Sequence, residues 1–133
     1  WKGELKSTWK APEGGDPIAP IEAFLVIRQT FSMISLRLVT KESTSELLAG
    51  SIVRANDGTY EIAGTYRDTP QLLIRERSPI HLGGLLLRVQ GDPPASLEGE
   101  YWTDRDTKGQ MRFRARSTTL FHDLEAASSG EYR

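Results

Sequence analysis

A chain of 133 residues with a formal net charge of −1 is long enough for one domain with a real core. It offers no general field for a polyanion, so neither DNA nor RNA is an expected partner. Cysteine is absent, and His81 and His122 are the only histidines; disulfides, thiol nucleophiles and the common zinc motifs are excluded.

No apolar run is long enough to span a bilayer, and the start has none of the features of a signal peptide. Taken in order, Gly3–Trp9 sets Gly3, Leu5, Ser7 and Trp9 against Glu4, Lys6 and Thr8, the alternation of a strand. Ala11–Pro20 has three prolines and reads as a loop. Ile21–Thr30 and Met33–Thr40 read as two strands with a tight break near Phe31–Ser32, or as one long bent strand. Ser43–Arg54 is a fourth strand, closed by the hairpin signal Asn56-Asp57-Gly58. Tyr60, Ile62, Gly64 and Tyr66 share a face of the fifth, which is expected to stop at Asp68-Thr69-Pro70.

In Gln71–Pro79 the cluster Leu72, Leu73, Ile74 reads either as a plug for one end of the fold or as a short extra strand. Leu82–Gln90 is the sixth strand, and Gly91–Ala95 a turn. The stretch Leu97–Arg116 is the clearest hairpin of the chain. Leu97, Gly99 and Tyr101 share one face, Met111, Phe113 and Ala115 continue it after the turn Asp104–Gly109, and Glu98 and Glu100 stand near Arg112 and Arg114 as cross-strand ion pairs. Thr118 or Thr119 is expected to cap a short helix, Leu120–Ala127, and residues 128–133 to fray.

Eight short strands with almost no helix predict an all-β fold: an eight-stranded up-and-down antiparallel barrel over 1–127, with a short C-terminal helix. Closure removes exposed edges. Such a barrel is either filled by side chains or holds one small ligand. Alternating strand direction puts the loops after strands one, three, five and seven at one end. Those loops carry Lys10, Lys41, Ser43, Asp68, Thr69, Thr103 and Arg105, with Trp9, Tyr66, Tyr101 and His81 at the adjoining strand ends. That mouth is the default place for a ligand.

The run Leu97-x-Gly99-x-Tyr101-Trp102-Thr103-x-Arg105 with Gly109 resembles the most distinctive stretch of a family: the β-barrel sensor domain of the two-transmembrane, β-strand-rich effectors of bacterial CBASS anti-phage systems. Ile27-x-Gln29-Thr30, Ser43-x-Ser45, Tyr66 with Pro70, His81-x-Gly83 and the segment Phe121–Ala126 fall in the matching order. The resemblance implies a lipocalin-like barrel that binds a cyclic dinucleotide made by a partner nucleotidyltransferase. It also implies a full-length protein that self-associates in the bacterial inner membrane and disrupts it, with this domain on the cytoplasmic side. The chain departs from the family in lacking the transmembrane helices, as expected of an excised, soluble sensor domain beginning at Trp1. It departs again at Asp68-Thr69, where the family pattern has an amide-bearing residue before Pro70.

A cyclic dinucleotide needs cations or hydroxyl donors for its phosphates and aromatic faces for its bases. Arg105 is the candidate cation, with a turn pair to Asp104 or Asp106 as the plain alternative. Thr103 either donates to phosphate or satisfies the turn. Tyr66 and Tyr101 point inward, as ligand contacts or as core. Ser43 and Trp9 complete the candidate set, against the plain readings of a strand start and a packed tryptophan. Trp102 points outward, Gln29 and Thr30 lie at the opposite end, His81 is a structural donor, and His122 is solvated. There is no nucleophile motif, Gly-rich phosphate loop or metal cluster, so neither enzyme activity nor a cofactor is expected. The alternative is a lipocalin-like carrier of a small apolar ligand, which requires an apolar lumen and a dry mouth; a third reading is a structural barrel whose charged faces pair with proteins.

Overall fold

The computed structural model describes residues 1–8 and 18–133. Eight antiparallel strands follow in chain order: β1 (Lys2–Ser7), β2 (Ile21–Gln29), β3 (Ile34–Val39), β4 (Ser43–Arg54), β5 (Tyr60–Pro70), β6 (His81–Gln90), β7 (Ser96–Thr103) and β8 (Lys108–Ala115). Each pairs with its neighbour in sequence, and β1 pairs with β8 to close the barrel. The expected up-and-down barrel is therefore the fold. The break at Phe31–Ser32 is a true hairpin joining β2 and β3, not a bend.

Alternation decides what fills the barrel. Leu5, Leu25, Leu36, Ile62, Leu85, Leu87, Leu97, Met111 and Phe113 are all buried in one cluster. The ladder registers place them side by side: Leu5 opposite Met111, Ile62 opposite Leu87, Leu97 opposite Phe113. The outer wall carries the charges. Arg88 grips both carboxylate oxygens of Glu100 at 3.1 and 3.0 Å, and Glu98 meets Arg112 at 3.3 Å and Arg114 at 3.4 Å. Exposed pairs of this kind contribute about 0.2–1 kcal/mol each.

Three expectations need correction. β5 does not stop before Asp68 but runs through Pro70. Asp68 keeps its ladder positions opposite Ser45 and His81, its carboxylate accepts from the Ser45 hydroxyl on Oδ1, and Pro70 is tolerated as the last residue of the strand. Leu72–Ile74 forms a single 3-10 turn with Leu72 and Leu73 largely exposed, so it is neither a plug nor a strand.

The third correction concerns the C-terminus. The helix, α1, spans Leu124–Ser129 and is capped by Asp123, whose carboxylate accepts from Ala126 N at 2.8 Å. It starts late because Arg37, on the outside of β3, donates to the carbonyls of Phe121 and His122 at 3.1 and 2.7 Å and holds that stretch out of the helix. The expectation of a frayed end at 128–133 meets a different arrangement. Arg116 and Arg133 exchange two backbone hydrogen bonds of 2.7 Å, and the Tyr132 ring packs 5.9 Å from both Phe24 and Phe121. This strap covers the outward-facing Phe24, which is only 1% exposed.

Candidate functional site

The links after β3, β5 and β7 gather at one pole, as the alternation predicts, and β1 ends at that pole. They are laced together. The β3–β4 link receives hydrogen bonds from Gln71, whose backbone donates to Glu42 O at 2.8 Å and whose side chain donates to Lys41 O at 3.0 Å. Arg77 pairs with Glu42 at 2.8 Å. The β7–β8 turn is held to β6 through Asp104, which accepts from Leu82 N at 3.2 Å and donates its own N–H to Leu82 O at 2.9 Å.

Just inside this mouth the lumen turns polar. Continuing the inward parity of Ile62 along β5 gives Tyr66 and then Asp68; on β4 the corresponding positions are Leu47 and Ser45, on β6 Gly83 and His81. Ser45 donates to Asp68 Oδ1 at 2.6 Å. His81 Nε2 stands 3.8 Å from Asp68 Oδ2, and its Nδ1 is 3.0 Å from Pro79 O. Ser45 thus faces the carboxylate rather than the imidazole, the reverse of the order in which a histidine activates a serine.

Both tyrosines lie where expected, and glycines make room for them. Tyr66 is opposite Gly83 and Tyr101 opposite Gly109. Tyr66 is buried and Tyr101 half-buried. Burial pushes the Tyr66 phenol far above its ordinary range, with further contributions from Tyr101, Asp68 and Asp104. The Tyr101 phenol is also raised, first by burial; a hydrogen bond with Ser7 opposes the shift and Asp68 adds to it. The four groups Tyr66, Tyr101, Asp68 and Asp104 therefore share one electrostatic neighbourhood.

The remaining candidates fall at the rim. Arg105 pairs with neither Asp104 nor Asp106; its Nη1 donates to Ser78 Oγ at 2.9 Å, across to the β5–β6 link. Among the described residues it makes no ion pair. Thr103 is occupied with the turn: its Oγ1 lies 2.6 Å from Thr107 Oγ1 and accepts from Arg105 N at 3.2 Å. Ser43 is half-buried, with its Oγ 3.3 Å from Thr40 Oγ1. Trp9 and Lys10 lie outside the described residues. Trp102 faces out, 51% exposed. Gln29 ends β2 at the far pole.

Ser7 and Asp68 carry more of this site than the sequence reading gave them. Asp68 sits two positions past Tyr66 on the same face, a signal hidden by treating Asp-Thr-Pro as a stop. Among the described residues no group of three or more histidine, aspartate or glutamate side chains is placed to hold a metal, and no helix is long and apolar enough to cross a membrane. At the opposite pole a groove of about 400 Å³ has a mixed lining, with Ile27, Ile34, Ile52 and Val89 beside Arg116 and Thr118 among others.

A closed barrel with phenols, hydroxyls and a carboxylate converging inside one laced mouth has the form of a small-ligand receptor. The chain matches the family model described as Cap15, cyclic dinucleotide receptor domain, over residues 1–115, and it belongs to that family. The match runs to Ala115, the last residue of β8, and so takes in the whole barrel while leaving the C-terminal strap outside. No curated protein matches the chain. The resemblance read from Leu97–Gly109 and its companion motifs is borne out.

Proposed function

We propose that the barrel binds a cyclic dinucleotide at the mouth formed by Tyr66, Tyr101, Thr103 and Arg105, and serves as the sensor of an anti-phage effector. In this reading the full-length protein self-associates in the inner membrane and disrupts it through helices outside this chain. The observation that carries the reading is the family membership across all eight strands, together with a rim arginine free of ion pairs among the described residues. Phosphate recognition wants such a donor fork. In this reading the mouth binds without turnover; among the described residues Ser45 faces Asp68 rather than the His81 imidazole.

The test is calorimetry with a panel of cyclic dinucleotides, with a fatty acid alongside and chromatography of the recovered ligand. Saturable binding of a cyclic dinucleotide that is recovered intact supports the reading. Recovery of cleaved ligand overturns the non-enzymatic part, and no binding overturns the whole. The groove at the far pole, lined in part by Ile27, Ile34, Ile52 and Val89, favours a second reading, a carrier of an apolar ligand; binding of the fatty acid alone would select it.

A further inference from the structure

Asp68 is the group in the mouth that the phosphates of a cyclic dinucleotide cannot use. Its side chain is only 10% exposed and faces the lumen between Ser45 and His81. Among the described residues no lysine or arginine pairs with it, and the Tyr66 and Tyr101 phenols both feel its charge. A phosphate brought against it would meet like charge in a poorly solvated place. A carboxylate there has to face a part of the ligand that donates.

Its free valence is well defined. An ionised carboxylate offers about four acceptor sites and no donor. Ser45 takes one, on Oδ1. His81 Nε2, at 3.8 Å from Oδ2, is beyond hydrogen-bond length, and the ring is anchored on its other side by Pro79 O. Both oxygens therefore keep acceptor capacity, side by side.

Resting on the receptor reading, we propose that Asp68 reads the base, and that it selects a cyclic dinucleotide containing guanine. Guanine presents two adjacent donors on its pairing edge, the ring N1–H and the exocyclic N2–H, which match the two oxygens of one carboxylate. Adenine sets its N1 lone pair beside the N6 amine, and cytosine sets N3 beside the N4 amine. Uracil flanks its single N3–H with two carbonyls. Each of these places an acceptor against an acceptor, which costs affinity as surely as the matched pair adds it. The division of labour follows: Arg105 and Ser78 at the rim for phosphate, Asp68 inside for the base edge, and the two tyrosines as walls between them.

The experiment is calorimetry on this chain with cyclic di-GMP, cyclic GMP–AMP, cyclic di-AMP and cyclic di-UMP, repeated with Asp68→Asn after a melting curve. The parent should bind the guanine-containing ligands at least about tenfold more tightly than the other two. Asp68→Asn, which replaces one acceptor oxygen by a donor, should remove most of that preference and leave cyclic di-AMP unchanged or improved. A parent that prefers cyclic di-AMP or cyclic di-UMP, or a folded Asp68→Asn that keeps its guanine preference, overturns the assignment while the receptor reading stands. A parent that binds none of the four overturns both. Because the parent's own preference is decisive, the proposal stays exposed even if Asp68→Asn does not fold.

Discussion

Tyr66 occupies the space that Gly83 leaves empty: a Cβ on Gly83 would stand 2.5 Å from the Tyr66 hydroxyl and ring. The arrangement recurs two ladders over, where a Cβ on Gly109 would stand 2.6 Å from the Tyr101 ring. Each pair consists of directly opposed residues, so the glycines set the position of the inward phenols. Gly83→Ala is expected to push Tyr66 aside and cost about 1–3 kcal/mol, read as a lower urea midpoint at unchanged slope. Adding Tyr66→Ala removes the side-chain part of the clash and leaves the Trp102 carbonyl against the same Cβ, so the two losses should be less than additive. Strict additivity would put the constraint in the Trp102 carbonyl instead.

Arg105→Ala is expected to lower cyclic dinucleotide affinity by about ten- to a hundredfold, the loss of a charge-assisted contact of about 1.5–3 kcal/mol. Arg105→Lys should restore only part, since an ammonium lacks the planar fork. Ser78→Ala removes the hydroxyl that positions the guanidinium and should cost less than either. Calorimetry on variants with parental melting curves decides it; a folded Arg105→Ala that binds like the parent would move the pocket elsewhere.

For the Tyr101 phenol, Tyr101→Phe isolates the hydroxyl that meets Ser7, whereas Tyr101→Ala removes the ring as well. The first should weaken ligand binding less than the second. Equal losses would mean that only the hydroxyl matters, and equal retention would remove Tyr101 from the site.

Stability should fall in alkali. The phenols of Tyr66 and Tyr101 are held above their ordinary range by burial. Below about pH 10, the range of a free phenol, both are protonated folded or unfolded, and their contribution is fully present. Above it the unfolded chain sheds protons that the folded chain retains, so the equilibrium moves toward unfolding until the folded phenols also ionise. Melting temperatures compared between about pH 8 and pH 11 should fall more steeply for the parent than for Tyr66→Phe. Parallel curves would count against Tyr66 as a contributor.

The strap outside the family match is expected to matter for stability. Tyr132→Ala strips the Phe24 ring of its cover and should lower stability by about 2 kcal/mol, part burial and part ring pairing. Ligand affinity should hold, because the mouth is at the other pole. A melting curve and one titration check both halves.

The barrel was legible because period-two alternation survives in almost every strand, and hairpin connections leave consecutive strands little choice but to pair. Parity alone also placed Tyr66, Tyr101 and Trp102 correctly. What local pattern could not give were contacts made by distant residues. Asp68 looked like a stop because aspartate is poor in strands, and only its pairing with Ser45, 23 positions away in the chain, makes the extra turn of ladder stable. Thr118 and Thr119 were reasonable caps, but Arg37 from another strand binds the carbonyls of Phe121 and His122, and the cap falls to Asp123. Arg105 was expected to find Asp104 or Asp106 beside it, and instead reaches Ser78 on a different link.

The backbone pairing of Arg116 with Arg133, and the bond from the Trp1 amino group to Leu25 O at 2.8 Å, bring both ends of the chain to the pole opposite the mouth. Whatever is joined to either end is therefore remote from the mouth by the full height of the wall. In the proposed reading, a signal that begins with a molecule settling against Asp68 and Tyr66 finds no loop among the described residues to carry it across. The route left to it is shear or twist of the ladders themselves, with the antiparallel strands acting as stiff rods side by side. In such a device, sensitivity is set by the stiffness of the wall as well as by affinity at the mouth.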